Sequence, residues 1–330
     1  MIMTKDPMHV YLDWDVFNAI EKRNSSNTTD ADVYEAIEKH ILLGNFVVPY
    51  SNAHVNHLKE GSSKNPSYLE GHLEVIERLT NNLCIVQYWG QQHVTWHIRD
   101  VREFLESAIE EGDFFSRSFQ DLGRLDTTGL WSLALTKLKS APLPQGFSDL
   151  FKADPVFLKL FPKARVEKNM LAMCEDIFEF QKLVRRDFSV YKSLRSYVNQ
   201  AQAKARKYQK VLKEVNKTDV TNPSHLEFID NAWEQYRGQT KVSDNPAYQR
   251  ITSEYAKTDF KGVKSDEKFP NMIDDSLHVF YGAHCGYFIT LDDKCHYKAN
   301  EVYRKLKIDT LVMKPKEFVK WIEANENKTQ

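Results

Sequence analysis

Cysteine and glycine are scarce in this chain, and charge of neither sign dominates it. Of its 330 residues four are cysteine, Cys84, Cys174, Cys285 and Cys295, and no two form a C-x-x-C pair. A zinc ribbon or a dithiol redox motif is therefore not indicated, and the thiols are expected to be reduced and structural. The 12 glycines form neither G-x-G-x-x-G nor G-x-x-x-x-G-K, so an α/β nucleotide-binding protein that cradles phosphates with its backbone is disfavoured. Lys and Arg number 45 against 46 Asp and Glu, a formal charge of -1, so bulk charge selects no partner. No apolar run approaches the roughly 18–20 residues of a membrane helix, and Met1 to His9 holds no apolar core behind a basic start. A cytoplasmic protein with no membrane partner is expected. What the chain does have is 42% hydrophobic and 28% charged residues, the balance of a globular protein. At roughly 100–200 residues per domain, its length predicts two domains or one carrying a large insertion.

The first part alternates strand and helix signals. His9 to Leu12 is a β-prone run broken at Asp13, and Trp14 to Lys22 then shows helical spacing through Val16, Phe17 and Ile20. Asp30 is placed to cap a helix that runs to Leu43, with Gly44 as its stop. Phe46 to Pro49 reads as a covered strand, Ser51 opens another helix, Tyr68 to Leu79 is helical and Leu83 to Tyr88 is a third strand. From about Gly90 strand signals fade. Thr95 to Glu111 and Thr128 to Lys139 read as amphipathic helices, and Lys163 to Val215, free of Gly and Pro, reads as one very long helix or two. Strand and helix alternation resumes with a helix from Ile273 to Cys285, a strand from Tyr287 to Leu291, a helix from Lys294 to Leu306 and a strand from Asp309 to Met313. A last helix opens at Pro315. The expected fold is α/β, a parallel sheet flanked by helices in residues 1–89 and 269–330, interrupted by a mostly helical insertion over 90–268.

Charge is segregated inside that insertion. Between Lys182 and Lys217 eleven Lys or Arg face two acids, Asp187 and Glu214, which leaves the rest of the chain near -10. Arg185, Arg186, Arg206 and Lys207, interleaved with Tyr191, Tyr197 and Tyr208, form a candidate surface for nucleic acid backbone and bases. The same stretch also suits a solvated helix face or a dock for an acidic partner protein.

Acids gather where an open α/β sheet concentrates function, at the carboxyl ends of its strands. Asp13 ends the first strand with Asp15 beside it. Asp292 and Asp293 follow the strand at Tyr287, and Asp274 and Asp275 are expected at the start of the preceding helix. Carboxylates so placed repel one another unless a cation neutralises them, and oxygen donors suit Mg²⁺ or Mn²⁺. Such an ion activates water and polarises a phosphoryl oxygen, which points to phosphodiester hydrolysis. His278, three residues after Asp275, shares its helix face and is a candidate acid or base. Cys295-His296 has no partner pair that would make a zinc site.

Tyr11-Leu12-Asp13-Trp14-Asp15-Val16-Phe17, Val47-Val48-Pro49-Tyr50-Ser51-Asn52-Ala53-His54, Asp275-Ser276-Leu277-His278 and Tyr287-Phe288-Ile289-Thr290-Leu291-Asp292 together resemble the PIN-like nuclease family. The stretch Leu311-Val312-Met313-Lys314-Pro315 continues in the same style. The resemblance covers the two terminal parts. It implies a PIN-like sheet, a metal-dependent ribonuclease acting on RNA such as tRNA, and Asp13, Asp275 and Asp292 as the core catalytic and metal-binding acids. Asp15 and Asp293 would support the metal, and Thr290 would orient a ligand or the scissile phosphate. By family analogy a toxin or antiviral defence effector is implied, with a regulatory protein held by the insertion or self-association as the means of control. Two positions depart from the pattern. Asp15 stands where the family usually has Asn, and His57 stands where the helix after the second strand normally supplies an acid. His54 and His57, one turn apart, are then candidate ligands or phosphate contacts. A catalytically degenerate scaffold that binds nucleic acid or a partner protein is the alternative.

Overall fold

The structure, a computed structural model, describes residues 8–23, 30–64, 66–88, 91, 93–110, 130–143, 160–196, 247–262 and 264–326. They fall into two compact units, one drawn from residues 1–110 and 197–330 and the other from 111–196.

The first unit is α/β. Strand β1 (Met8–Leu12) leads into α1 (Trp14–Lys22) and α2 (Ala31–Leu42), and two short strands follow, β2 (Phe46–Val47) and β3 (Tyr50–Ser51). Then come α3 (Asn52–Lys64), α4 (Leu69–Thr80), β4 (Leu83–Val86), β5 (Thr95–Ile98) and α5 (Val101–Glu110). A four-stranded sheet, all of it parallel, has the order β2-β1-β6-β7, where β6 is Tyr287–Ile289 and β7 is Leu311–Met313. The segment 46–51 reaches from this sheet to a second one. Phe46 and Val47 pair with β1, while Tyr50 and Ser51 pair in parallel with β4. The covered strand expected over Phe46 to Pro49 is thus split, because Pro49 has no N–H to give to a ladder.

Alternation along the strands builds a core on each face. Val10, Leu12, Ile289, Cys84 and Val86 turn to one cluster, while Tyr11, Phe288 and Ile85 turn to the other. With both faces covered, apolar runs rather than alternating ones are required, which is how these strands read. Gly282 marks a close approach: a Cβ there would stand 2.9 Å from the Phe288 ring.

Three expectations are corrected here. Thr95 to Ile98 is a strand antiparallel to β4, and the helix begins only at Val101. The Thr-Trp-His-Ile run is β-prone, and Asp100 caps α5 by accepting from Arg102 N at 2.7 Å and Glu103 N at 3.2 Å. The α/β unit consequently runs on to Glu110, into residues assigned from the sequence to the insertion. Asp30 does not cap α2 through its side chain; it sits at φ 73 in the left-handed region, which aspartate tolerates. The helix bearing Asp275, here α10 (Phe269–Gly282), starts earlier than expected, with Pro270 in its first turn. Asp274 and Asp275 are therefore interior to it.

Two more helices complete this unit, α9 (Ala247–Phe260) and α11 (Asp293–Leu306), and α12 (Pro315–Glu326) closes the described chain. On the opposite side, α1, α2 and α4 are tied by an acid. Glu38, 4% exposed, is ion-paired to both Arg23 and Arg78. Glu38→Ala leaves two guanidinium groups without their anion. It is expected to cost roughly 2–3 kcal/mol in denaturant unfolding, less than a fully buried pair because Arg78 reaches solvent.

The second unit is helical where described, with α6 (Leu130–Ser140), α7 (Pro162–Glu167) and α8 (Met170–Arg186). The span from Lys163 to Val215, expected as one very long helix or two, is broken twice without Gly or Pro in its described part, which ends at residue 196. Lys168 adopts φ 54, and Asn169 then starts α8 by accepting from Ala172 N at 2.8 Å. At Asp187, extended backbone ends α8, and the carboxylate accepts from Ser189 N at 2.8 Å to begin helix again over 188–196. Short polar side chains that bond backbone N–H groups set these breaks.

Candidate metal centre

Asp13 follows the last residue of β1, and its backbone N–H donates to Ile289 O at 2.9 Å. The parallel pairing of Leu12 with Ile289 thereby sets the ends of two adjacent central strands side by side. Thr290, fully buried, donates its hydroxyl to Asp13 Oδ2 at 2.6 Å and accepts from Asp292 N at 3.2 Å. Each acid also starts a helix. Asp13 Oδ1 accepts from Trp14 N at 2.8 Å, and Asp292 Oδ1 accepts from Lys294 N and Cys295 N at 2.6 and 2.7 Å. One oxygen per acid is thus spent on a helix N-terminus, where negative charge is favoured.

Asp275 joins from α10, its Oδ2 accepting from the Tyr255 hydroxyl at 3.0 Å. Burial, then Asp266, Asp13 and Asp292, raise its carboxyl well above the ordinary range, with Lys298 opposing. Burial and Asp15 raise Asp13 to about 7, against the lowering effect of its bonds from Thr290 and Trp14, and Asp292 adds to the rise. Asp15 is exposed as a residue, yet desolvation and then the charge of Asp292 raise its carboxyl too, with Lys22 opposing. Asp13, Asp15 and Asp275 therefore form one electrostatic cluster, in which the nearby charge of Asp292 adds to the burial that disfavours their ionisation. Asp293 stays outside it, exposed and paired with Lys314 at 2.8 Å.

The histidines divide. His54 is fully buried: its Nδ1 accepts from Ser51 N at 3.0 Å and its Nε2–H donates to Leu12 O at 2.9 Å. With both nitrogens on backbone, and burial holding its imidazole down to about 3, it is a neutral clamp between β3 and the end of β1 and not a ligand. His57 lies over Trp14 and His278, with ring centroids 5.2 and 5.4 Å away. His278 is buried and shares a hydrogen bond of 3.0 Å with Tyr11 OH, which meets Ser51 Oγ at 2.7 Å. Its other nitrogen, Nε2, makes no hydrogen bond and faces Asp13 Oδ1 at 3.7 Å.

A cation inside the cluster went unread in the sequence. Lys298 has no exposed surface; it contacts Asp259 at 3.1 Å and Asp266, and lies 4.6 Å from the Tyr255 ring centroid. Burial lowers its proton affinity, but Asp266 and Asp259 outweigh that and the net shift is upward, so the ammonium is charged. One signal was available. Cys295, Lys298, Ala299, Val302 and Tyr303 form the buried stripe of α11, and a lysine in an apolar stripe needs an anion.

Arg185 and Arg186 end α8 in the second unit; Arg206 and Lys207 lie outside the described residues. Among the described residues no helix is long and apolar enough to cross a membrane.

No family, curated protein or solved structure matches this chain.

Carboxylate oxygen is the donor type that a hard dication takes. Among the described residues no three His, Cys, Asp or Glu side chains are spaced to hold one ion. Binding would have to draw Asp13, Asp275 and Asp292 together against their present helix caps and hydroxyl contacts.

Proposed function

We propose that this chain is a metal-dependent ribonuclease of PIN-like type, with Asp13, Asp275 and Asp292 as its central carboxylates and Asp15 at their edge. The observation that carries the reading is the electrostatic penalty on Asp13, Asp15 and Asp275, to which the charge of Asp292 adds in each case. Carboxylates kept together at such a cost need a purpose, and a divalent cation is the counter-charge that relieves it. A bound Mg²⁺ or Mn²⁺ would activate water and polarise a phosphoryl oxygen. The chain's own groups do the rest. Thr290 fixes the rotamer of Asp13 through its 2.6 Å hydrogen bond. His278 presents a buried, unpartnered nitrogen to Asp13, suited to moving a proton or holding the phosphate-bound water. Trp14 with His57 offers aromatic surface beside the acids on which an RNA base can stack. Single-stranded or structured RNA, tRNA among it, is the substrate class, and Arg185 and Arg186 are proposed backbone contacts. A toxin or antiviral defence role, and control by a partner protein or by self-association, rest on the family resemblance alone.

The scaffold reading is favoured by one observation, the lack of three ready-spaced ligands. Cleavage of labelled single-stranded RNA, tRNA and single-stranded DNA by wild type and Asp275→Asn, in Mn²⁺, Mg²⁺ or chelator, separates the two. The nuclease reading expects RNA cutting that needs both the ion and Asp275. Binding of RNA with no cutting under any condition would hand the site to the scaffold.

A further inference from the structure

We propose that the second unit binds single-stranded RNA at the elbow after α8, with Phe188 as the surface on which a base stacks and Arg186 and Lys192 as contacts to the phosphates beside it. The inference rests on RNA being the ligand, as read above, and not on cleavage.

The chain turns sharply in character at this point. α8 ends at Arg186, Asp187 is extended at φ -117 and ψ 104, and helix resumes over 188–196. Two residues of chain span at most about 7 Å, so Arg186 and Phe188 are neighbours across the elbow. In the helix that follows, residues three and four apart share a face. Tyr191 has no exposed surface and Val190, Leu194 and Arg195 are half-buried, whereas Phe188, Ser189, Lys192 and Ser193 are exposed. Tyr191, which the sequence offered as a contact to bases, is therefore spent on packing. The open ring is that of Phe188, at 40% exposure, and the Lys192 ammonium lies 5.9 Å from its centroid, one turn on.

The make-up of this face selects a nucleic acid over an acidic protein. From Phe180 to Ser196 five Lys or Arg face one acid, Asp187. That carboxylate is committed to the elbow itself: it accepts from Ser189 Oγ at 2.6 Å and from Ser189 N at 2.8 Å, bonds that hold it below the usual carboxylate range. The open side of the helix carries one apolar side chain, so a protein that docks by burying apolar surface finds a single anchor. Single-stranded RNA asks for less and for different groups. A base of any kind covers an aromatic ring, cations neutralise the phosphates, and hydroxyls such as that of Ser193 donate to phosphate oxygens.

The test measures binding without cutting. Fluorescence anisotropy follows a labelled, unstructured oligoadenylate of about 20 nucleotides, longer than one such site needs, on the full-length protein in chelator. Phe188→Ala is expected to weaken binding about tenfold with the salt dependence kept, and Phe188→Trp to hold the wild-type affinity. Arg186→Gln and Lys192→Gln are each expected to flatten the slope of log affinity against log salt by about 0.7. Lys137→Gln, which removes an exposed cation from α6 of the same unit, is expected to change neither quantity. A wild-type protein that binds no RNA overturns the RNA reading together with this face. RNA binding that Phe188→Ala leaves unchanged, or that Lys137→Gln weakens as much as Lys192→Gln does, overturns the face alone. Polyglutamate that displaces the RNA at equal charge concentration overturns it in favour of an acidic protein. The substituted side chains are all exposed, so the variants are expected to fold; should Phe188→Ala not, the slopes of Arg186→Gln and Lys192→Gln decide, and unchanged slopes overturn the proposal.

Discussion

Asp13→Asn is expected to abolish RNA cleavage and, at the same time, to make the metal-free protein more stable at pH 8. The two effects have one cause. Asp13 is buried to 5% exposure, and its carboxyl is raised from 3.8 to about 7 by burial and by its acidic neighbours. A group whose folded value is raised contributes its full stability below the unfolded value, about pH 4, and loses it as pH climbs through about 7. Ionising it at pH 8 therefore strains the fold by up to about 4 kcal/mol, at roughly 1.4 kcal/mol for each unit. Asparagine is isosteric and uncharged, and its oxygen still accepts from Trp14 N. Thermal and urea unfolding in chelator should show the variant ahead by roughly 2–4 kcal/mol at pH 8, with the gap closing by pH 4. Cleavage should fall by at least about a hundredfold, the range for losing one preorganised charged group. A variant that is less stable than wild type at pH 8 would mean that the carboxylates are not crowded.

His54→Leu is expected to do the reverse, taking stability and leaving metal affinity alone. The ring joins Ser51 N to Leu12 O, two backbone groups that leucine cannot satisfy. Stranding both in the interior should cost about 2–4 kcal/mol in urea unfolding. Mn²⁺ affinity of the folded variant should match wild type, because neither nitrogen is available to an ion. Intact stability with lost Mn²⁺ binding would return His54 to the ligands.

The acids at the strand ends were legible because apolar strands stop abruptly at Asp13 and just before Asp292, and a strand end in a parallel sheet has a known place. The histidines were less so. Spacing puts His54 and His57 on one face, but whether a nitrogen is spent on backbone depends on where β1 ends, 42 residues from His54. Lys298 was hidden for a similar reason. Its anions lie 39 and 32 residues away, on α9 and on the loop after it, in a stretch read as insertion. Thr95 to Ile98 was misread because apolar positions at Val94, Trp96 and Ile98 run directly into the helical spacing of α5, and only the pairing with β4 separates them. The breaks at Lys168 and Asp187 follow from side-chain caps, which a search for Gly and Pro passes over.

The most direct measurement is anomalous diffraction from crystals of the full-length protein grown with Mn²⁺. The nuclease account predicts a peak bounded by Asp13, Asp275 and Asp292, with the three side chains drawn in toward it. Full Mn²⁺ in the crystal and no peak among these residues would contradict it.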